Sequence, residues 1–132
     1  MRYCADTWFL LEIARGEPKA VAMTRDNRLG KISIIVPITA YAEATQVLLR
    51  RGTRKEVVQE LFDHLVEVRN LSIVGIDRAI AFETAKVATT YGIAMMDAFA
   101  AATSHIHNCH ALLAKDAHYG PLIKKRYLKL AN

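Results

Sequence analysis

Apolar residues follow two alternating patterns along this chain. Short runs rich in β-branched or small apolar residues have the length of buried strands. Longer segments with apolar residues three or four positions apart are typical of amphipathic helices. Glycine and proline stand between the segments and mark their ends. The short runs predict strands at residues 3–5, 32–36, 71–74 and 111–114, with a last short strand at 128–130.

The longer segments predict six helices, some of which begin at a residue whose side-chain oxygen can cap a helix. We expect Thr39, Thr53 and Asp77 to be such caps. In the helix after Thr53, an apolar stripe suits one buried face. That stripe consists of Val57, Val58, Leu61, Leu65 and Val68. The predicted helices span residues 7–15, 18–30, 39–51, 53–69, 77–91 and 97–105.

Strands that alternate with helices imply right-handed crossovers and a mostly parallel sheet with helices on both faces. The length of 132 residues suggests one domain. The sequence therefore predicts a single α/β domain over residues 1–132, built on a sheet of four to five strands.

Composition and charge narrow the class of protein. A hydrophobic fraction of 52% with 23% charged residues is typical of a globular chain rather than a disordered one. No apolar run approaches the roughly 18 residues of a membrane span, and the acid at position 6 argues against a signal peptide. We therefore expect a cytoplasmic protein with no membrane partner. The net charge of +5 favours a polyanion such as RNA or DNA, or an acidic protein partner.

Four acids lie in apolar or small surroundings near one predicted edge of the sheet. Asp6 follows the first strand and Asp116 follows the fourth, while Glu43 lies early in the helix that leaves the second. Asp97 opens the helix that leads into the fourth strand. Ligand sites of parallel sheets lie at the carboxyl ends of the strands, so we expect the four acids to converge. Singly, each has an ordinary explanation as a helix cap, a turn residue or a surface acid.

Converged carboxylates repel one another and are tolerated when divalent cations neutralise them. Oxygen ligands suit Mg²⁺ or Mn²⁺. An acidic cleft in a basic protein then indicates a phosphodiester site, in which metal ions hold the scissile phosphate and cationic flanks hold the backbone.

At these residues the sequence resembles the PIN-domain family, particularly the VapC-type toxin ribonucleases. The pair Asp6-Thr7 after the first strand matches the family's opening motif. The later acids match in order along nearly the whole chain, and four motifs in order are more specific than any one of them. They are Glu43 in "ITAYAEATQVLLRR", Asp97 in "GIAMMDAFAAATS" and Asp116 in "ALLAKDAHYGPL".

The resemblance implies a three-layer α/β/α sandwich that cleaves RNA as an endoribonuclease dependent on Mg²⁺ or Mn²⁺. Asp6, Glu43, Asp97 and Asp116 would bind the metal, and Thr7 would position a water or a metal ligand. The resemblance also implies a homodimer and an antitoxin protein that blocks the acidic cleft. In the implied fold the first and fourth strands are neighbours, with Asp6 and Asp116 level at their ends.

Two departures from the family pattern lie near the fourth acid. The family often has Thr or Ser two residues before this acid and another Asp two residues after it, where this chain has Ala114 and His118. Both changes make the region of a second metal less negative, which leaves one metal or two as open alternatives. His118 is either a ligand for a softer metal, a hydrogen-bond donor to phosphate, or an ordinary turn histidine.

Three other functions stay open on the sequence. The first is a PIN nuclease of RNA processing or decay that has no antitoxin. The second is a non-catalytic module that binds RNA or a protein. This alternative is suggested by the departures from the family pattern at Ala114 and His118. The third is hydrolysis of a small phosphate ester, which the absence of a separate nucleophile motif disfavours.

Three further groups of residues carry expectations of their own. His105, His107 and His110 look like a metal cluster, but the first two point to different faces of a helix end. We therefore expect no metal there. From the strand alignment implied by the resemblance, Cys4 and Cys109 are expected about 16 Å apart along the strands, too far for a disulfide. The basic segment 124–126 is a candidate contact for the RNA backbone, or an ordinary solvated tail.

Overall fold

The computed structural model describes residues 1–67 and 70–131, and Asp116 is described by its backbone alone. Four strands alternate with helices in the predicted manner. The strands are β1 (Arg2–Ala5), β2 (Ser33–Pro37), β3 (Leu71–Val74) and β4 (Ala111–Leu113). The helices are α1 (Thr7–Ala14), α2 (Pro18–Arg28), α3 (Ile38–Arg50), α4 (Lys55–Val66), α5 (Arg78–Tyr91), α6 (Met95–Ile106) and α7 (Gly120–Lys124), with a 3₁₀ turn at Asp116–His118.

The four strands form one parallel sheet in the order β3-β2-β1-β4. The chain builds outwards from β1 to β3 and then returns to place β4 on the free edge of β1. The predicted last strand is wrong among the described residues, where segment 128–130 makes a single bridge between Leu112 and Leu130. Two hydrogen bonds accompany that bridge: Leu112 N donates to Lys129 O at 2.8 Å and Ala131 N to Leu112 O at 3.0 Å.

Both faces of the sheet are covered, which confirms the predicted three-layer α/β/α sandwich. Alternate strand residues enter opposite hydrophobic clusters: Ala5 packs with α1 to α4, whereas Cys4 packs with α5 to α7. The same alternation separates Ile34 and Val36 from Ile35. In the described part of the chain, no helix is long and apolar enough to cross a bilayer.

The predicted helix caps are partly wrong. Asp77 caps α5 as expected, because its Oδ1 accepts a hydrogen bond from Ile80 N at 2.8 Å. Thr39 does not cap α3, since Pro37 ends the strand and the helix begins directly at Ile38. Thr53 does not cap α4, because the extended backbone of Arg54 places the cap position one residue later.

The buried face of α4 is turned relative to the predicted stripe. Val58, Phe62 and Leu65 are buried, at the four- and three-residue spacing of one helix face. Val57 is exposed because it lies about 100° away from Val58 around the helix axis. The predicted stripe therefore included Val57 wrongly and missed Phe62, and its member Val68 lies outside the described residues.

The expected separation of the two cysteines is wrong, because the register of β1 and β4 differs from the one assumed. Ala5 pairs with Leu113, so Asp6 is level with Ala114 rather than with Asp116. In this register Cys4 pairs with Leu112, so the two cysteines are offset by only three positions along the strands. The Cys4 thiol donates to the carbonyl of Ala100 at 3.8 Å. Burial raises the pKa of Cys4 and the nearby Cys109 adds to the rise, whereas Cys4 lowers the pKa of Cys109. Both are free thiols in the structure.

Candidate active site

The strand order places a crevice where β1 and β4 end side by side. The strand order reverses between β1 and β4, and ligands of open parallel sheets bind at such switch points. A cavity of about 570 Å³ opens there. Three of the four predicted acids, Asp6, Glu43 and Asp97, line it together with Thr7. Its other lining residues are Trp8, Leu11, Ala94, Met96, Lys115 and His118.

Asp6 is held by hydrogen bonds on both of its carboxylate oxygens. Its Oδ1 accepts the backbone N–H of Thr7 at 2.6 Å, as the N-cap of α1. Its Oδ2 accepts the hydroxyl of Tyr119 at 2.7 Å. Burial raises the pKa of the Asp6 carboxyl above its ordinary value; the bonds from Tyr119 and Thr7 oppose the rise, and the charges of Asp97 and Glu43 add to it. The cap role and a site role therefore coexist in one side chain.

Tyr119 is the buried anchor of the site and was not foreseen from the sequence. Its side chain is 0% exposed, and it packs in the cluster between the sheet and α5 to α7. Burial, together with the charge of Asp6 and the hydrogen bond to it, raises the pKa of the phenol far above its ordinary value. Tyr119 is therefore a permanent neutral donor that fixes the orientation of the Asp6 carboxylate.

Asp97 enters the cleft from the first turn of α6. The helix begins at Met95 and its N-cap position is Ala94. The alternative explanation of Asp97 as a helix cap is therefore wrong. Burial raises the pKa of the Asp97 carboxyl; the charge of His118 opposes the rise, and that of Glu43 adds to it. The alanines that follow it, among them Ala98 and Ala101, are fully buried. These small side chains let the helix start lie close to the strand ends.

Glu43 reaches the cleft from the second turn of α3, between the buried Ala40 and Ala44. Its charge acts on both Asp6 and Asp97, so the three carboxylates belong to one electrostatic group. Asp116 begins the 3₁₀ turn that follows β4, two residues past the level of Asp6. Its side chain lies outside the described residues, so its membership in the site stays a prediction.

Sequence reasoning missed most of the non-acidic wall of the cleft. Lys115 is exposed at the rim, and Trp8, Leu11 and Met96 supply apolar surface. Lys115 directly precedes a predicted acid, so adjacency alone would have identified it. Trp8 and Leu11 are spaced three positions apart, as on one face of a helix, and nothing in that spacing indicates that they border a cavity.

The donor set fits a hard divalent cation. Three carboxylates face one cavity, and each oxygen of Asp6 that accepts a hydrogen bond keeps a further lone pair. Among the side chains described, no three from His, Cys, Asp and Glu already surround one point closely enough to enclose an ion. Asp116 is not part of that set. Burial is the main cause of the raised pKa values of Asp6 and Asp97, and the neighbouring carboxylate charges add to it.

A family model for the PIN domain matches residues 3–120. The chain belongs to the PIN domain family. This confirms the resemblance drawn from the four acid motifs. No curated protein matches the sequence significantly.

Solved structures with the same fold are remote in sequence. VapBC2 from Rickettsia felis, bound to a DNA fragment from its promoter, superposes with a TM-score of 0.78 at 17% identity, over 100% of this chain and 98% of that one. VapBC-1 from nontypeable Haemophilus influenzae superposes with a TM-score of 0.74 at 17% identity, over 100% of this chain and 98% of that one. FitAcB from Neisseria gonorrhoeae superposes with a TM-score of 0.67 at 20% identity, over 98% of this chain and 96% of that one. At these identities the likeness establishes the fold.

The histidine cluster is occupied by contacts within the protein. His105 stacks on Tyr127 with ring centroids 4.6 Å apart. His110 meets Tyr3 edge-on at 5.7 Å. The backbone carbonyl of His107 accepts a hydrogen bond from Arg2 Nη1 at 2.8 Å. These contacts give the cluster a packing role at the end of the sheet opposite the acids.

Proposed function

We propose that this chain is a metal-dependent endoribonuclease whose cleft is built by Asp6, Glu43, Asp97 and Asp116. The observation that carries the proposal is the convergence of Asp6, Glu43 and Asp97 on one cavity at the carboxyl end of the sheet. Membership of the PIN domain family supports action on nucleic acid. The proposal treats residues 1–132 as one such domain that works in the cytoplasm, as a homodimer.

Each part of the cleft has a task in this proposal. The carboxylates of Asp6, Glu43, Asp97 and Asp116 would hold Mg²⁺ or Mn²⁺, directly or through water. The bound cation would lower the pKa of a water and neutralise charge on the phosphate. Thr7, beside Asp6, positions a water or a ligand. Tyr119 keeps Asp6 in one orientation through its 2.7 Å hydrogen bond.

The remaining walls suit a segment of single-stranded RNA. Lys115 places a cation at the rim, where a phosphate on either side of the scissile one would pass. Trp8, Leu11 and Met96 offer apolar surface to a base, and base–aromatic stacking tolerates any base. A cleft of about 570 Å³ is of the size that encloses small-molecule ligands, which suits one nucleotide of a longer chain.

An antitoxin is the partner that we propose for this nuclease, because VapBC2, VapBC-1 and a toxin–antitoxin complex from Klebsiella pneumoniae share its fold. A second cavity of about 400 Å³, lined mainly by apolar residues of α1 and α2, shares Trp8 with the acidic cleft. A partner segment with a cationic and an apolar side chain would fill both. A small protein encoded directly upstream, with a DNA-binding start, that co-purifies with the chain would support this partner.

The decisive experiment measures RNA cleavage by Asp6→Asn and Asp97→Asn against wild type and Asp63→Asn. Asp63 is an exposed acid on α4 and is the matched control. We expect both site variants to lose about a hundredfold or more in rate, since even indirect partners of metal ligands contribute 10–100-fold. EDTA should abolish wild-type cleavage. Wild-type rates in either site variant would refute the assignment, and RNA that is bound but uncut in both Mg²⁺ and Mn²⁺ would favour a non-catalytic module.

A further inference from the structure

His118 places an imidazole nitrogen in the cleft that the three acids line. Its Nδ1 lies 3.4 Å from Oδ2 of Asp97. The imidazole is 67% exposed and the Asp97 side chain 22%, so the pair lies at the open mouth of the cavity that both residues line. The two groups come from separate elements, the 3₁₀ turn after β4 and the first turn of α6.

The backbone beside His118 is anchored. Its neighbour Tyr119 is buried and bonded to Asp6, which anchors the chain directly after the 3₁₀ turn. Asp97 is fixed on the other side by the tight packing of α6 through Ala98 and Ala101. The nitrogen and the oxygen therefore come from two chain segments that are each anchored by a buried neighbour.

The separation of the two atoms suits joint coordination of one ion. Two ligand atoms at about 2.1 Å from a metal lie about 3.0 Å apart at a right angle and about 3.4 Å apart at a tetrahedral angle. The observed 3.4 Å falls in this range. Mg²⁺ takes oxygen ligands and keeps much of its water, whereas transition-metal dications accept imidazole readily.

We propose that His118 Nδ1 and Asp97 Oδ2 together bind the divalent ion of this cleft, and that the nitrogen ligand makes the site select a transition-metal ion such as Mn²⁺ or Co²⁺ over Mg²⁺. The inference rests on the proposed metal-dependent function and adds the class of cation. Glu43 and Asp6 line the same cavity, so an ion held by His118 and Asp97 would draw any further oxygen ligands from them.

Metal binding, rather than cleavage, tests this inference. The full chain is stripped with EDTA, dialysed, and titrated with MnCl₂, CoCl₂ and MgCl₂ while affinity and melting temperature are followed. His118→Asn removes the ligand, His118→Asp replaces it with an oxygen ligand, and His64→Asn is the control. His64 matches His118 in exposure, at 72%, and lies on α4. Circular dichroism of the metal-free variants checks that each is folded.

We expect wild type to bind Mn²⁺ at least about tenfold more tightly than Mg²⁺. His118→Asn should lose about tenfold or more in Mn²⁺ and Co²⁺ affinity with little change for Mg²⁺. His118→Asp should shift the preference towards Mg²⁺, and His64→Asn should behave as wild type. In NMR spectra, traces of Mn²⁺ should broaden the ring protons of His118 before those of His64.

Other results separate failure of this inference from failure of the proposed function. If wild type binds Mn²⁺ and Mg²⁺ but His118→Asn weakens both equally or neither, then His118 is no ligand and only this inference falls. If wild type binds none of the three ions, both this inference and the proposed metal-dependent function are refuted.

Discussion

Replacement of Tyr119 by Phe tests whether a buried phenol sets the state of Asp6. The change removes one oxygen from a side chain that is fully buried and leaves the ring packing in place. The lost oxygen donates to Asp6 Oδ2 at 2.7 Å, and hydrogen bonds to a charged group contribute about 1.5–3 kcal/mol. A chain of 132 residues unfolds with an entropy of about 0.28 kcal/mol/K. We therefore expect Tyr119→Phe to lower the melting temperature by about 5–11 °C in EDTA.

The pH dependence of this loss has a defined sign. The pKa of Asp6 is raised in the folded protein, so its contribution to stability falls as pH rises from about 4, near the unfolded pKa, through the folded value. The Tyr119 hydrogen bond is the largest influence that opposes this rise. Without it the folded pKa rises further, so the gap between variant and wild type should be small near pH 4 and widen towards pH 7.

Thermal unfolding followed by circular dichroism at several pH values measures both effects. Tyr91→Phe is the matched control, because the Tyr91 ring packs 5.8 Å from Tyr127 and its hydroxyl has no hydrogen-bond partner among the residues described. That control should stay within about 0.5 kcal/mol of wild type. A Tyr119→Phe protein as stable as wild type, or one whose deficit is the same at pH 4 and pH 7, would refute the proposed role of the phenol.

Three further predictions concern other parts of the molecule. In EDTA at pH 7, Asp97→Asn should melt at or above the wild-type temperature, because the raised pKa of Asp97 means that its ionised form opposes folding; a lower melting temperature would contradict this. Iodoacetamide should label Cys109 before Cys4, read by mass spectrometry, since a hydrogen bond from Cys4 lowers the pKa of Cys109 and burial raises that of Cys4. Ala101→Leu should cost about 1–3 kcal/mol in denaturant unfolding by overpacking α6 against the sheet, whereas Ala85→Leu on exposed α5 surface should be nearly neutral.

The order of the elements followed from the sequence because local signals agreed with the global fold. Strand runs such as 32–36 are bounded by Gly30 and Pro37, and Gly92 ends α5 in the left-handed conformation, at φ 65°, which glycine adopts without strain. The errors lie where tertiary packing decides. Which face of α4 is buried depends on the helix and sheet beneath it, and single-helix spacing left Val57 and Phe62 indistinguishable.

The acids of the site were predictable, and their partners were not. Asp6, Glu43 and Asp97 stand out because a carboxylate in an apolar run is costly and needs a reason. Tyr119 gives no such signal, since a tyrosine in a turn near a proline is ordinary in sequence. Its contact with Asp6 spans 113 positions and depends on the register of β1 and β4, which was misjudged by two residues. The same error in register made the expected separation of Cys4 and Cys109 along the strands too large.

The site is assembled at a cost that its proposed ligand would relieve. Burial and mutual repulsion raise the pKa values of Asp6 and Asp97, so the metal-free cleft opposes folding at neutral pH. Tyr119 offsets part of this cost through its hydrogen bond to Asp6, and the charge of His118 opposes the rise in the pKa of Asp97. An ion present at a hundred times its dissociation constant would add about 2.7 kcal/mol of stability, or about 10 °C for a chain of this length. Stabilisation by metal in wild type, absent from Asp6→Asn and Asp97→Asn, therefore distinguishes an ion site from acids that are only structural.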